Sequence, residues 1–290
     1  MSVQIQLREG YMTNDDRMTT ARSEGTSSQA PPGNSRLYDY ARAHLNLDVE
    51  LRYQAVARLI RSEVRKDTQL LEVGAGAVSI GAHLGCRSTA VDTMFDSGVG
   101  KYTDRIQASV DSLPFPDKSW DIVVSIDMLE HIRPEYRDRA LREMIRVTRS
   151  LLVIAVPIGE AAYEHDIELH DYYISKHGRP HRFTREHVEF GLPTLAETSH
   201  SLGVAAENTG RKLQLDVRQH LNINFRSYYM KLALHSSILA RAMYVALFPL
   251  ALLGPVYDRG SCYRTIFSAR LEEVNPLQSQ RSRVEGDHRK

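Results

Sequence analysis

Apolar residues follow two rhythms along this chain. Between Thr68 and Val156, short apolar runs alternate with stretches of helical period. The runs predict strands at 69–73, 88–92, 105–110, 120–126 and 151–156, with helices near 77–84, 95–101 and 134–148. Such alternation specifies a Rossmann-like, doubly wound, mostly parallel sheet with crossover helices on both faces, an α/β fold. Upstream, Leu45, Leu47, Leu51, Ala55 and Leu59 recur at helical intervals and predict a helix from about 37 to 60. After Pro157 the texture changes. Residues 160–182 read as loop or short helices, a helix begins near Thr184, and strands are expected near 204–208 and 264–272. An apolar stretch at about 222–257 forms a helical insertion before the last strand. Residues 1–36 read as a disordered leader and 276–290 as a polar tail, which leaves 37–275 as the folded domain.

Composition narrows the function classes. The hydrophobic share of 42% suits an ordinary core, and a formal charge of +1 over 290 residues argues against nucleic acid as a partner. Two cysteines, Cys86 and Cys262, make no disulfide framework and point to a reducing, cytoplasmic setting. The arginines between 133 and 149 alternate with Glu135, Asp138 and Glu143, which reads as a solvated helix face.

Chemistry concentrates where the first strand ends. Leu70-Leu71-Glu72-Val73-Gly74-Ala75-Gly76 is an apolar run holding one carboxylate and closed by two glycines. Glycine at 74 and 76 lets the backbone turn tightly and approach a ligand. Asp92 follows Glu72 by twenty residues, at the end of the next strand, where an acid accepts hydrogen bonds from ribose hydroxyls. The third glycine of the dinucleotide fingerprint is absent; Ser79 holds its place. A carboxylate at 72 would repel a pyrophosphate, so the site favours a ligand with a cationic ammonium and no phosphate.

These residues, with Asp111-Ser112-Leu113-Pro114-Phe115-Pro116-Asp117 and Met128-Leu129-Glu130-His131-Ile132, resemble the class I S-adenosylmethionine-dependent methyltransferases. The resemblance implies S-adenosyl-L-methionine as cofactor. It implies that Gly74 and Gly76 lie under the methionine part, that Glu72 holds the ammonium directly or through water, and that Asp92 binds the ribose. Asp111, Ser112 and Leu113 would edge the adenine. The family's usual adenine-binding acid would fall at Ser109, so the Ser109 hydroxyl or a main-chain N–H stands as the alternative.

For proton removal from an acceptor hydroxyl, the candidates are Asp127 after the fourth strand, His131 one turn on, and His181. His181-Arg182-Phe183-Thr184 resembles the family's entry to the helix after the fifth strand. His181 belongs to a segment, 165–187, that holds five of the chain's twelve histidines. That segment reads as an active-site flap with His181 or His165 as base, as a metal site, or as a solvated polar loop; no metal ligands are assigned. Residues 222–257 hold an uncharged stretch, 242–257, that is too short and too broken by Pro249 and Pro255 to span a membrane. Their aromatic, basic and apolar residues suit either a lid or dimer face, or a peripheral membrane contact. A fainter likeness of 254–264 to methyltransferases of bacterial surface-polysaccharide synthesis implies a glycan or lipid-linked small-molecule acceptor. Two rival readings stand beside the O-methyltransferase: a non-catalytic cofactor-binding scaffold, and a nicotinamide-dependent dehydrogenase.

Overall fold

Strands form where the apolar runs are continuous, because a strand covered on both faces has no polar side to present. In this computed structural model, which describes residues 46–76, 78–95, 103–235, 237–249 and 257–273, the first strand, β1 (Leu70–Val73), is buried at all four positions. It is flanked by β2 (Ser88–Asp92) and β4 (Trp120–Ile126), both parallel to it, and β3 (Thr103–Gln107) extends the sheet beyond β2. The next strand, β5 (Thr148–Pro157), runs parallel to β4. The last, β7 (Cys262–Glu273), lies antiparallel between β5 and β6 (Arg211–Asn222). Among the described residues the sheet order is therefore β3-β2-β1-β4-β5-β7-β6. All parallel strands end on one edge, where ligands of doubly wound sheets bind.

Helices cover both faces. Helix α1 (Leu47–Ile60) is capped by Asn46, whose side chain accepts from the Val49 N–H, and buries Val56, Ala57 and Ile60 against the sheet. The short α2 (Ile80–Leu84) starts at Ser79, the position of the missing third glycine, whose hydroxyl caps it. On the other face α3 (Pro134–Val147) opens with proline at its first turn and buries Leu141, Met144 and Ile145. Its arginines are not an idle solvated face. Arg139 donates to the Asp111 carbonyl, and Arg146 donates to the Leu113 and Phe115 carbonyls. They fasten the 111–117 loop to the helix.

After β5 the structure departs from several expectations. Residues 160–177 form one helix, α4 (Glu160–His177), not loop or short helices. It buries Asp166 and His165 beside Ala162 and Leu169, so its inner face is polar and its period is hidden. Gly178, left-handed, ends it. Helix α5 (Arg182–Phe190) starts one residue after His181, two before the expected Thr184. The strand expected at 204–208 is the end of helix α6 (Leu195–Asn208), which begins with a reciprocal capping box between Thr194 and Glu197. The strand comes later, as β6. The insertion is helical where described, with α7 (Ile223–Leu234) and α8 (Ile238–Ala246). The leader, the tail and all but Phe95 of the helix expected at 95–101 lie outside the described residues.

Candidate active site

The turn after β1 is built on its two glycines. Gly74 has φ +82° and Gly76 φ +54°, a region that side-chain-bearing residues rarely enter. The Gly74 N–H donates to the Val91 carbonyl at 2.8 Å, which ties the turn to β2. A Cβ on Gly74 would lie 2.3 Å from Met128 Cγ, whereas one on Gly76 would meet no atom within 4 Å among the described residues. Gly74 thus serves close packing, and Gly76 faces open space among the described residues. Asp92 closes the arrangement: its carboxylate accepts from the Gly76 N–H at 2.9 Å and the Met94 N–H at 3.1 Å. It remains partly exposed.

Glu72 has a different place from the one expected. It is fully buried, and both oxygens are taken: Oε1 accepts from the Tyr53 hydroxyl at 2.8 Å and Oε2 from the Ile80 N–H at 2.6 Å. It satisfies the first turn of α2 and pins α1 to β1. A direct grip on the ligand ammonium is therefore corrected: Glu72 shapes the turn from behind. Burial pushes its pKa up to about 7, against the pull of the Ile80 N–H and Tyr53.

This placement predicts a pH effect. A carboxyl whose pKa rises from 4.5 unfolded to about 7 folded loses native stability as pH climbs between those values. The loss amounts to about 3 kcal/mol at 1.36 kcal/mol per unit. In Glu72→Gln the amide oxygen still accepts from Ile80 and the amide N–H donates to Tyr53, whose hydroxyl turns to the Val78 carbonyl 3.1 Å away. Urea midpoints of Glu72→Gln relative to the parent are expected to rise from pH 5 to pH 8; a constant difference would show that Glu72 is ionised throughout. Calorimetric affinity for S-adenosylhomocysteine is expected to change less than about threefold in Glu72→Gln. It should fall about tenfold or more in Asp92→Asn, which loses charged hydrogen bonds.

Asp111, Ser112 and Leu113 form the loop ahead of β4. The Leu113 N–H is held by Glu143 of α3 at 2.9 Å, and Arg139 approaches the Asp111 carboxylate at 3.8 Å. The Ser109 hydroxyl is buried without a hydrogen-bond partner among the described residues.

Asp127 follows β4 with φ +48°. Arg264 of β7 forks onto its two oxygens, 2.6 Å from Nε, and Arg52 of α1 adds a third bond at 3.1 Å. Burial favours the neutral acid, but the two guanidiniums overcome it and hold the pKa well below the ordinary carboxylate range. The expectation of a proton acceptor at Asp127 is corrected: a carboxylate locked between two arginines is a structural anion.

Beyond it the Leu129–His131 turn of 3₁₀ helix meets α5. His131 Nδ1 lies 2.7 Å from Glu186 Oε2, and its ring centroid is 4.8 Å from that of His187. His187 Nδ1 is 2.7 Å from Asp166 Oδ2, an oxygen that also accepts from the Tyr263 hydroxyl, while Arg226 holds the other. Phe183, 49% exposed, stands between His131 (5.7 Å) and His181 (5.6 Å). The ring of His181 makes no hydrogen bond among the described residues; burial, with His177 and His170 nearby, lowers its pKa, which keeps it neutral at physiological pH. His165 is 3% exposed, and burial with Arg226 drives its pKa down to about 4. The flap reading with His165 as base is therefore corrected, since an enclosed neutral ring cannot reach an acceptor.

Comparison with known proteins completes the picture. Residues 71–153 match a family model described as a methyltransferase domain. Comparison with curated proteins returns no match. Among solved structures, the [4+2]-cyclase SpnF is 20% identical, over 78% of this chain and 82% of that one, with a TM-score of 0.48. YcgJ from Bacillus subtilis is 15% identical, over 77% and 100%, with a TM-score of 0.43. The 1,6-didemethyltoxoflavin-N1-methyltransferase of Burkholderia thailandensis, solved with S-adenosylhomocysteine, is 14% identical, over 84% and 93%, with a TM-score of 0.45. The sheet order, with its antiparallel strand next to the far edge, departs from the 3-2-1-4-5-6 order of dinucleotide-binding folds. The matched segment begins within β1, takes in the glycine turn and ends within β5, and over those residues this chain is similar to a methyltransferase domain.

Proposed function

We propose that the protein transfers the cofactor's methyl group to a hydroxyl of a glycan or similar small acceptor, carried on a lipid. The observation that carries this reading is Phe183, an exposed ring flanked by two imidazoles. A flat apolar ring stacks on the C–H face of a sugar while an imidazole reaches a hydroxyl beside it. His181 takes the proton as the acceptor oxygen bonds to the methyl carbon and the carbon–sulfur bond breaks, releasing S-adenosylhomocysteine. Its neutral form is the one that accepts a proton, and a positioned base contributes about 10²–10⁴-fold. Helix α8 supports the lipid-linked part: Ile238 and Leu239 are 85% and 72% exposed, beside Met243 and Val245. Such a face suits the headgroup boundary of a bilayer; no helix among the described residues is long and apolar enough to cross one.

The test is transfer from methyl-labelled cofactor into a cell lipid extract, followed by acid hydrolysis. Label is expected in an O-methyl sugar, with kcat reduced about 100-fold in His181→Gln at unchanged cofactor affinity. Label recovered only in amines, protein or nucleic acid would end the proposal.

A further inference from the structure

The carboxylate of Glu130 and the imidazoles of His131 and His187 converge, with one ligand-capable atom of each lying within 4.8 Å of the others. Glu130 and His187 are 1% and 7% exposed, yet Glu130 Oε2 and His187 Nε2 have no hydrogen-bond partner among the described residues. Two buried polar atoms left open at one point cost free energy unless something joins them. We propose that Glu130, His131 and His187 form a binding site for a divalent transition-metal ion of the zinc, iron(II) or manganese kind.

The surroundings orient the ligands for this task. Each histidine has Nδ1 against a carboxylate, His131 on Glu186 and His187 on Asp166, both at 2.7 Å. With Nδ1 set against a carboxylate oxygen that accepts its proton, each neutral imidazole turns the lone pair of Nε2 outward. Carboxylate-backed histidines with a free Nε2 are how metal-ligating imidazoles are fixed in tautomer and direction. Two imidazoles and one carboxylate form a borderline donor set that suits zinc, iron or manganese better than calcium. Bonds near 2.1 Å put neighbouring ligand atoms about 3–3.5 Å apart, so the three groups would close by up to about 1.5 Å through side-chain rotation. His131, whose side chain is 25% exposed, stands at the open side, where the ion keeps coordination positions for water or a ligand oxygen. The site joins the Leu129–His131 turn to α5, two elements distant in sequence, so neither local spacing shows it. His131 then acts as a ligand, which leaves proton removal to His181.

The test uses tag-free, full-length protein, stripped with chelator and titrated with cobalt(II) and zinc(II) without acceptor. One cobalt per chain is expected, with visible d–d absorption that zinc displaces. Glu130→Gln keeps shape and packing but removes the anionic ligand; it and His187→Gln should weaken zinc binding at least 100-fold. Circular dichroism confirms that each variant is folded, and zinc should raise the Tm of the parent but not of Glu130→Gln. Absence of stoichiometric binding to the parent at tens of micromolar ion, or binding by Glu130→Gln as tight as by the parent, overturns the site: the two open atoms would then share a proton. Neither readout requires methyl transfer, so failure here is distinct from failure of the acceptor assignment.

Discussion

Replacing Asp127 by asparagine is expected to destabilise the fold by about 3–5 kcal/mol, the range for removing one partner of a buried ion pair. Asparagine is the clean probe because, like aspartate, it tolerates the left-handed backbone of this position (φ +48°), so the change isolates charge. Arg264 is 1% exposed and its guanidinium rests on Asp127 together with that of Arg52. Without the carboxylate, the buried Arg264 and the part-exposed Arg52 are left with Asp48 as a nearby anion. The pH dependence has a definite sign. A carboxyl whose folded pKa lies below its unfolded value of 3.8 stabilises the native state above pH 3.8 and loses that stabilisation as pH falls through the folded value. The gap between parent and Asp127→Asn in urea unfolding should be full at pH 7 and shrink below pH 4. Removing the fully buried cation as well, Asp127→Asn with Arg264→Met, should recover part of the loss, since only the part-exposed Arg52 then lacks its carboxylate. A single variant within 1 kcal/mol of the parent at pH 7 would show that the arginines find other partners.

How far the sequence reveals this molecule depends on whether the deciding contacts are local. β1, β2 and β4 were readable because short apolar runs form their centres, and α3 because its apolar stripe faces a core. β6 was not: it pairs only with β7, at the sheet edge, and alternates lysine, glutamine, aspartate and arginine outward. α4 was hidden for the opposite reason, since its buried face carries Asp166 and His165. Val204-Ala205-Ala206-Glu207-Asn208 reads as a strand alone, but the Thr194–Glu197 box starts a helix ahead of it. The same division holds at the site. The glycine turn and Asp92 lie close in sequence and were found together. The groups that decide the roles of Glu72 and Asp127 come from far away: Tyr53 on α1, and Arg264, 137 positions from Asp127. An arginine inside Cys262-Tyr263-Arg264-Thr265-Ile266-Phe267, an otherwise core-like strand, was the signal available for a buried ion pair.

The two glycines of the turn should fail in different ways, and the difference separates packing from ligand approach. In Gly74→Ala the new methyl would sit 2.3 Å from Met128 Cγ and 2.7 Å from Met128 Cβ, on a backbone at φ +82°. Overpacking of this kind costs about 1–3 kcal/mol and left-handed strain about 1–3 more. Stability should therefore fall by about 2–6 kcal/mol, and affinity for S-adenosylhomocysteine at least 100-fold as the turn shifts. Adding Met128→Gly removes both offending atoms, so the double variant should regain the packing part relative to Met128→Gly alone and keep the strain. Gly76→Ala meets no described atom within 4 Å, so its stability loss should be confined to the strain of φ +54°. Its methyl nevertheless stands on the open side of the turn, beside the N–H that Asp92 accepts, and should weaken the cofactor about as much as Gly74→Ala does. Urea unfolding and calorimetric titration on the same preparations check both quantities. Gly76→Ala with parental affinity would move the cofactor off this turn, because a ligand lying over Gly76 has no room for that carbon.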